Sequence, residues 1–300
     1  MNIIESLRQM VIEDLFNLNT VASNWDVWSD CIKNHIGEQP TAQSILDIGD
    51  YISEVFKQTG SEGRGQGELS AGGTAWESLV TWYVNLCSIG SRVVAIKKKS
   101  TLPTSINDSI TVSYANFSCS TESDITVVVF PDDPLFTEYN PSLYKRSGKI
   151  NFDELNKLVG DKFENFEVGI IQCKTNWNDN SQIPMLWDMI YSAGGFGKRQ
   201  ITVGRNNYSI QSLNVFTYSF VTVPTNKLST YKPDCTCVGR VKNLSGGNYW
   251  GLPTANGIAK SLKEIFQNYR SGYTNGNIRH TLTKSIPLLG TNYDYFRLSI

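Results

Sequence analysis

Residues 166–180, FEVGIIQCKTNWNDN, run apolar as far as Ile171, present Gln172, Cys173 and Lys174, and then turn wholly polar. Lysine is almost never fully buried without a partner, so a glutamine and a lysine at the mouth of a buried strand ask for a ligand or an ion pair there. A second apolar run, SDITVVVF at 123–130, opens with Asp124. In two antiparallel neighbours the start of one strand lies beside the end of the other, which would bring Asp124, Gln172 and Lys174 to one rim of a sheet. Strand alternation puts Gln172 and Lys174 on one face and Cys173 on the other. A carboxylate, an amide oxygen and the carbonyl of Cys173 suit a hard divalent cation such as Mg2+, which takes oxygen ligands and keeps several waters. Lys174 is then set to position or help deprotonate an attacking water and to offset charge on a phosphate. Each residue also has a plainer reading: Asp124 as a turn residue before a strand, Lys174 as a strand-end lysine in water.

Stepping outward, apolar periodicity predicts amphipathic helices over 3–18 and 41–58. The glycine-rich stretch TGSEGRGQGELSAGG that follows reads by composition as a mobile linker, or as a loop that orders around a ligand, and holds no G-x4-G-K-[S/T] phosphate loop. A helix then begins at TAWESLVTWYVNLCSIG, where Thr74 and Glu77 form the T-x-x-E pattern of a capping box. Short runs rich in β-branched and aromatic residues predict strands at 92–99, 109–119, 123–130, 166–174 and 212–223, with a helix near 182–191. Another helix carries Ile258, Leu262, Ile265, Phe266 and Tyr269. VVVF and VGII are continuously apolar, as strands buried on both faces should be. The order implies an α/β fold: a mixed central sheet flanked by helices, with an N-terminal helical region (1–60), a core (61–225) and a basic C-terminal portion (226–300) packed on it.

Composition narrows the function classes. With 40% hydrophobic and 18% charged residues the chain is an ordinary folded protein. No run of 18 apolar residues occurs and the N-terminus lacks a signal-peptide pattern, so the expectation is a cytoplasmic protein with reduced cysteines and no membrane partner. Only Cys235 and Cys237 lie close together, without the C-x2-C loop that wraps zinc. No G-x-S-x-G, H-E-x-x-H or strand-linked G-x-G-x-x-G is present, and His35 and His280 are the only histidines. The net charge of −1 conceals a division. Residues 197–300 hold 13 basic and three acidic residues, a balance of +10, and the first 196 hold 14 and 25, or −11. A basic third suggests a polyanion-binding surface, or a solvated face that meets the acidic part of its own fold or a partner subunit.

A helix bearing Glu77, an acid opening a strand (Asp124) and a later strand ending Q-x-K (Gln172, Lys174) resemble the PD-(D/E)XK nuclease superfamily, and within it the type II restriction endonucleases. The resemblance covers roughly residues 72–223. It implies a restriction-endonuclease-like core and a Mg2+-dependent phosphodiesterase acting on double-stranded DNA as a homodimer. It further implies Asp124 and Gln172 as metal ligands, Lys174 beside the attacking water, and Glu77 as an accessory carboxylate. Glutamine stands where the pattern has a second acid, which removes one negative charge from the metal site. A literal Pro131-Asp132 also occurs, in FPDDP, but at the strand end opposite the rim of Lys174; Asp132 and Asp133 are read as turn formers. The segment GFGKRQITVGRNNYSIQ (195–211) offers Lys198, Arg199, Gln200, Arg205, Asn206 and Asn207 for reading bases, or forms a polar hairpin. A structure-specific nuclease and a noncatalytic DNA-binding protein on the same fold remain the alternatives.

Overall fold

The computed structural model describes residues 1–59, 66–114, 117–119, 123–175, 201–223, 239, 249–250 and 261–298. Its centre is a mixed sheet of β1 (Val93–Ile96), β4 (Ile125–Val129), β5 (Glu167–Lys174) and β7 (Val215–Thr222), in that spatial order. A two-residue strand, β8 (Tyr249–Trp250), extends it beyond β7. β4 runs antiparallel to both β1 and β5, whereas β7 runs parallel to β5.

Both faces of this sheet are covered, which explains the unbroken apolar runs. Val93, Ala95, Ile125, Val127, Ile171 and Cys173 face one side, together with Trp76, Leu79, Val80 and Tyr83 of the long helix α5 (Gln66–Cys87). The alternate residues Val94, Ile96, Val128, Val168, Ile170 and Phe220 face the other, with Ile3, Ile4, Leu7 and Val11 of α1 (Ile3–Phe16). Truncating Ile125, Ile170, Ile171 or Phe220 to alanine should cost about 2–5 kcal/mol. Gly169 is required at its position, because a Cβ there would come within 2.6 Å of the buried Tyr269 ring.

Two buried polar devices fix the helices against the edge strand. Asn85 of α5 donates its amide to the Ala95 carbonyl (2.7 Å) and accepts the Ala95 N–H (3.1 Å), so it occupies the backbone edge that β1 would otherwise leave open. Arg8 of α1, wholly buried, donates to Glu5 (2.8 Å) and to the carbonyls of Val93 (2.6 Å) and Ser91 (3.0 Å). Glu5 in turn accepts the N–H of Gly90, a position at φ 71° that favours glycine. These contacts set the entry of β1, and thereby its exit.

Several elements differ from the sequence expectation. α1 ends at Phe16 and a short α2 (Asn19–Ala22) follows; α4 (Ala42–Lys57) matches the second predicted helix, capped reciprocally by Thr41 and Ser44. Between them lies α3 (Trp25–Ile36), unpredicted, whose buried face is Trp25, Trp28, Ile32 and Ile36. The supposed linker is helical from Gln66, so Thr74 and Glu77 stand inside α5 and form no capping box; the Thr74 carbonyl accepts from the Ser78 hydroxyl instead. Gly72 and Gly73 meet nothing within 4 Å of a Cβ position, so the helix carries them at about 1 kcal/mol each relative to alanine. The run 109–119 is not one strand. Ser109 closes α6 (Thr104–Ser109), whose first turn starts at Pro103. β2 (Val112–Tyr114) and β3 (Phe117–Cys119) then form a separate small sheet with β6 (Ile201–Val203).

The connection between β4 and β5 holds α7 (Pro134–Thr137) and α8 (Phe152–Asp161). Near the C-terminus, the segment Leu262–Gly272 is a 3-10 helix broken at Tyr269, followed by α9 (Ile278–Ser285). Ile258 and the predicted helix at 182–191 lie outside the described residues. Leu262, Ile265, Phe266 and Phe296 share the larger core with the N-terminal helices and the sheet. Among the described residues no helix is long and apolar enough to cross a membrane.

Candidate active site

Strand direction gathers the chemistry at one rim. β1 exits there into Lys97, β4 enters from Asp124, β5 exits through Gln172, Cys173 and Lys174, and β7 ends at Thr222 beside Lys174. The three residues predicted to meet do meet. The Oδ2 of Asp124 accepts from the Gln172 side-chain amide (2.8 Å) and from the backbone N–H of Cys173 (2.7 Å), and Lys174 Nζ stands 3.9 Å away. Gln172 is fully buried, and its amide oxygen takes a long 3.5 Å hydrogen bond from the Tyr218 hydroxyl. The side chain of Lys174 keeps about a quarter of its surface open (25%). Thr222, on the face shared by Gln172 and Lys174, is buried, and its hydroxyl has no hydrogen-bond partner among the described residues.

Glu77 comes to the same region from α5. Its Oε2 lies 3.0 Å from Lys97 Nζ, and it borders with Asp124, Ser123, Lys97, Lys98 and Asp14 a cavity of about 830 Å³. Removing Glu77 from a helix cap therefore leaves it as a carboxylate facing open space beside the strand rim. Cys173 turns its thiol to the α5 side. Burial pushes that thiol well above its ordinary value, and the charges of Asp124 and Glu77 push it further, against a smaller opposing effect of Lys174 and Lys97. A thiol held neutral is a poor nucleophile, so Cys173 serves the site through its backbone.

The donor set suits a hard divalent cation. A half-turn of the Gln172 amide would exchange its nitrogen for its oxygen next to Asp124, and Tyr218 could accept from the NH2 as readily as it now donates. The Cys173 carbonyl points to the same strand edge as its N–H, past the last registered pair, Ile125 opposite Ile171. No group of three His, Cys, Asp or Glu side chains poised for a metal occurs among the described residues.

The other predicted residues are dispersed. Lys198, Arg199 and Gln200 lie outside the described residues. Arg205 and Asn206 bond the buried Asp108 at 2.6 and 2.9 Å, which holds a tight turn in which Asn206 and Asn207 have φ of 51° and 65°. Part of their hydrogen-bonding capacity is thus already engaged. Asp133 caps α7 by accepting from Leu135 N–H (2.9 Å), and Asp132 is exposed at the opposite rim. Lys97 and Thr222 were missed. The signal for Lys97 was the run VVAIKKK, an apolar strand ending in lysine, the same pattern that singled out Lys174.

The chain matches no protein-family model, no curated protein and no solved structure.

Proposed function

We propose that this chain is a Mg2+-dependent endonuclease of the PD-(D/E)XK superfamily that cuts double-stranded DNA at specific sites, as type II restriction enzymes do. The observation that carries the reading is the convergence of Glu77, Asp124, Gln172 and Lys174 from α5, β4 and β5 on one rim of a mixed sheet, beside an open cavity. The helix-strand-strand-strand sequence closed by a parallel β7 supports it, since that is the frame the resemblance requires.

The roles follow from the donors. Asp124, the Gln172 amide oxygen, the Cys173 carbonyl and Glu77 would hold the cation. Bound there, Mg2+ supplies Lewis-acid stabilisation of the charge that develops on the phosphate. Lys174, about a quarter exposed and close to Asp124, orients the attacking water and offsets negative charge on the departing oxygens. Basic residues of the C-terminal third contact backbone phosphates, which makes binding salt-dependent. Lys263 is an exception, being held by Asp47 at 2.9 Å and by Asp50. The segment 195–211 is the recognition element of this reading, and a homodimer matches the two-fold symmetry of typical sites.

The test is to incubate wild type and Lys174→Ala with a long unmethylated duplex at low salt, in Mg2+ or in EDTA. Discrete Mg2+-dependent fragments, lost in the variant, are the expected result. Intact DNA that is nevertheless shifted on a gel by both proteins would make the chain a noncatalytic DNA binder, and a smear would make it a structure-specific nuclease.

A further inference from the structure

Lys97 has no part in the reading above, yet it occupies the site. It leaves β1 at the rim where Asp124 enters β4, and its ammonium is 3.0 Å from Glu77. The pair is well covered: the Lys97 side chain is 15% exposed and that of Glu77 24%. A covered lysine needs a counter-charge, and among the described residues Glu77 supplies it. Lys98, the next residue, is 62% exposed and pairs with Asp14 at 3.1 Å on the outer wall of the same cavity. Lys97 is therefore the inner lysine of the wall.

Glu77 also matters to the cation more than an accessory group would. Gln172 stands where a second strand carboxylate would add charge, so Glu77 is the carboxylate, besides Asp124, that faces the cavity from the inner side. An ammonium and a divalent cation seek the same lone pairs of one carboxylate and repel each other across it. We propose that Lys97 competes with the divalent cation for Glu77, so that Lys97, and not the ligand set alone, fixes how tightly the site holds metal. The inference rests on the reading of this rim as a Mg2+ site. In this arrangement Lys97 faces Glu77 as Lys174 faces Asp124. The buried Cys173 thiol feels all four of these charges, which locates both pairs around one residue of β5.

The experiment is a Mn2+ titration of the purified full-length chain without DNA, following free Mn2+ by its electron paramagnetic resonance signal. Loss of a positive charge a few ångströms from the cation should tighten Mn2+ binding about tenfold in Lys97→Met, while Lys97→Arg stays within about threefold of wild type. Glu77→Gln should weaken binding about tenfold by the same Coulomb argument. If Lys97→Met fails to fold, Lys97→Gln, which offers Glu77 a neutral donor, is read the same way. Wild type that binds Mn2+ and loses it in Asp124→Asn, with Lys97→Met binding no tighter, overturns the competition and leaves the metal site standing. Wild type that binds no Mn2+ at millimolar concentration overturns both.

Discussion

The two rims of the central sheet carry the same kinds of residue and use them differently. At the far rim Arg92 donates to the carbonyls of Phe130 and Ser271, Asp133 caps α7 and pairs with Lys162 at 2.7 Å, and Glu167 accepts from Ser271 (2.7 Å) and Asn214 (3.2 Å). Each charge there ties one chain connection to another. At the near rim the carboxylates of Asp124 and Glu77 border a cavity of about 830 Å³, against about 360 Å³ for the one that Arg92, Asp132, Asp133 and Glu167 line at the far rim, and the lysines beside them come from strand ends. The literal Pro131-Asp132 dipeptide sits on the far rim, where Asp132 is 83% exposed and 3.9 Å from Arg92. Residue type alone does not mark a site; at the near rim two carboxylates from different elements border one cavity, each beside a lysine that leaves a strand end.

The largest contrast should come from the lysines. Lys174→Met is expected to lower Mg2+-dependent cleavage by about 10²–10⁴, the usual worth of a positioned acid–base group, whereas Lys162→Met should leave cleavage within about threefold. Gel-resolved initial rates at one salt concentration decide this, and equal losses in both variants would erase the distinction between the rims.

Gln172→Glu sharpens the comparison from the other side. It puts a second acid at a fully buried position beside Asp124 and removes the amide that donates to Asp124, so in EDTA it should destabilise the chain by roughly 1–3 kcal/mol. Added Mg2+ should restore the thermal midpoint of this variant far more than it raises that of wild type. A midpoint indifferent to Mg2+ would argue against cation binding at this rim.

Asn85→Leu tests how the near rim is positioned. Two backbone groups of Ala95 lose their partner, which should cost about 2–4 kcal/mol in chemical denaturation. A loss under about 0.5 kcal/mol would mean that β1 does not depend on this clamp.

The smallest effect is at the far rim. Asp133→Ala should cost about 1 kcal/mol of stability at neutral pH, through the lost cap, with cleavage unchanged. The hydrogen bond from Lys162, then that from Leu135 N–H, holds the Asp133 carboxyl below its ordinary value of 3.8. A carboxyl lowered on folding stabilises above its unfolded value and loses that contribution as pH falls through the folded one. The gap between wild type and variant should therefore close below about pH 4 in melts across an acid series.

Much of this frame was legible in the sequence. Strand polarity followed from apolar runs with polar ends, and antiparallel pairing then dictated that Asp124 would lie beside Gln172 and Lys174. Where the reading failed, long-range partners decided local structure. Thr74 and Glu77 satisfy a capping pattern, but helix α5 continues upstream through a glycine pair, so the pattern had no helix start to serve. SITVSYANFSC looks like one strand, but a helix takes its first residue and the rest splits into β2 and β3, which pair with each other while β2 also pairs with β6. Lys97 was overlooked because its partner, Glu77, is 20 residues earlier on another element. The +10 of the C-terminal third was read as a surface for a polyanion or for the chain itself; Lys263 with Asp47 and Asp50 belongs to the second kind.

The most direct test of the central claim sets the two candidate aspartates side by side: cleavage of a long unmethylated duplex in Mg2+ by Asp124→Asn and by Asp132→Asn. The account predicts no detectable fragments from the first and a wild-type pattern from the second. Cleavage that survives Asp124→Asn, or is lost in Asp132→Asn, would contradict it and move the chemistry away from the rim of Lys174.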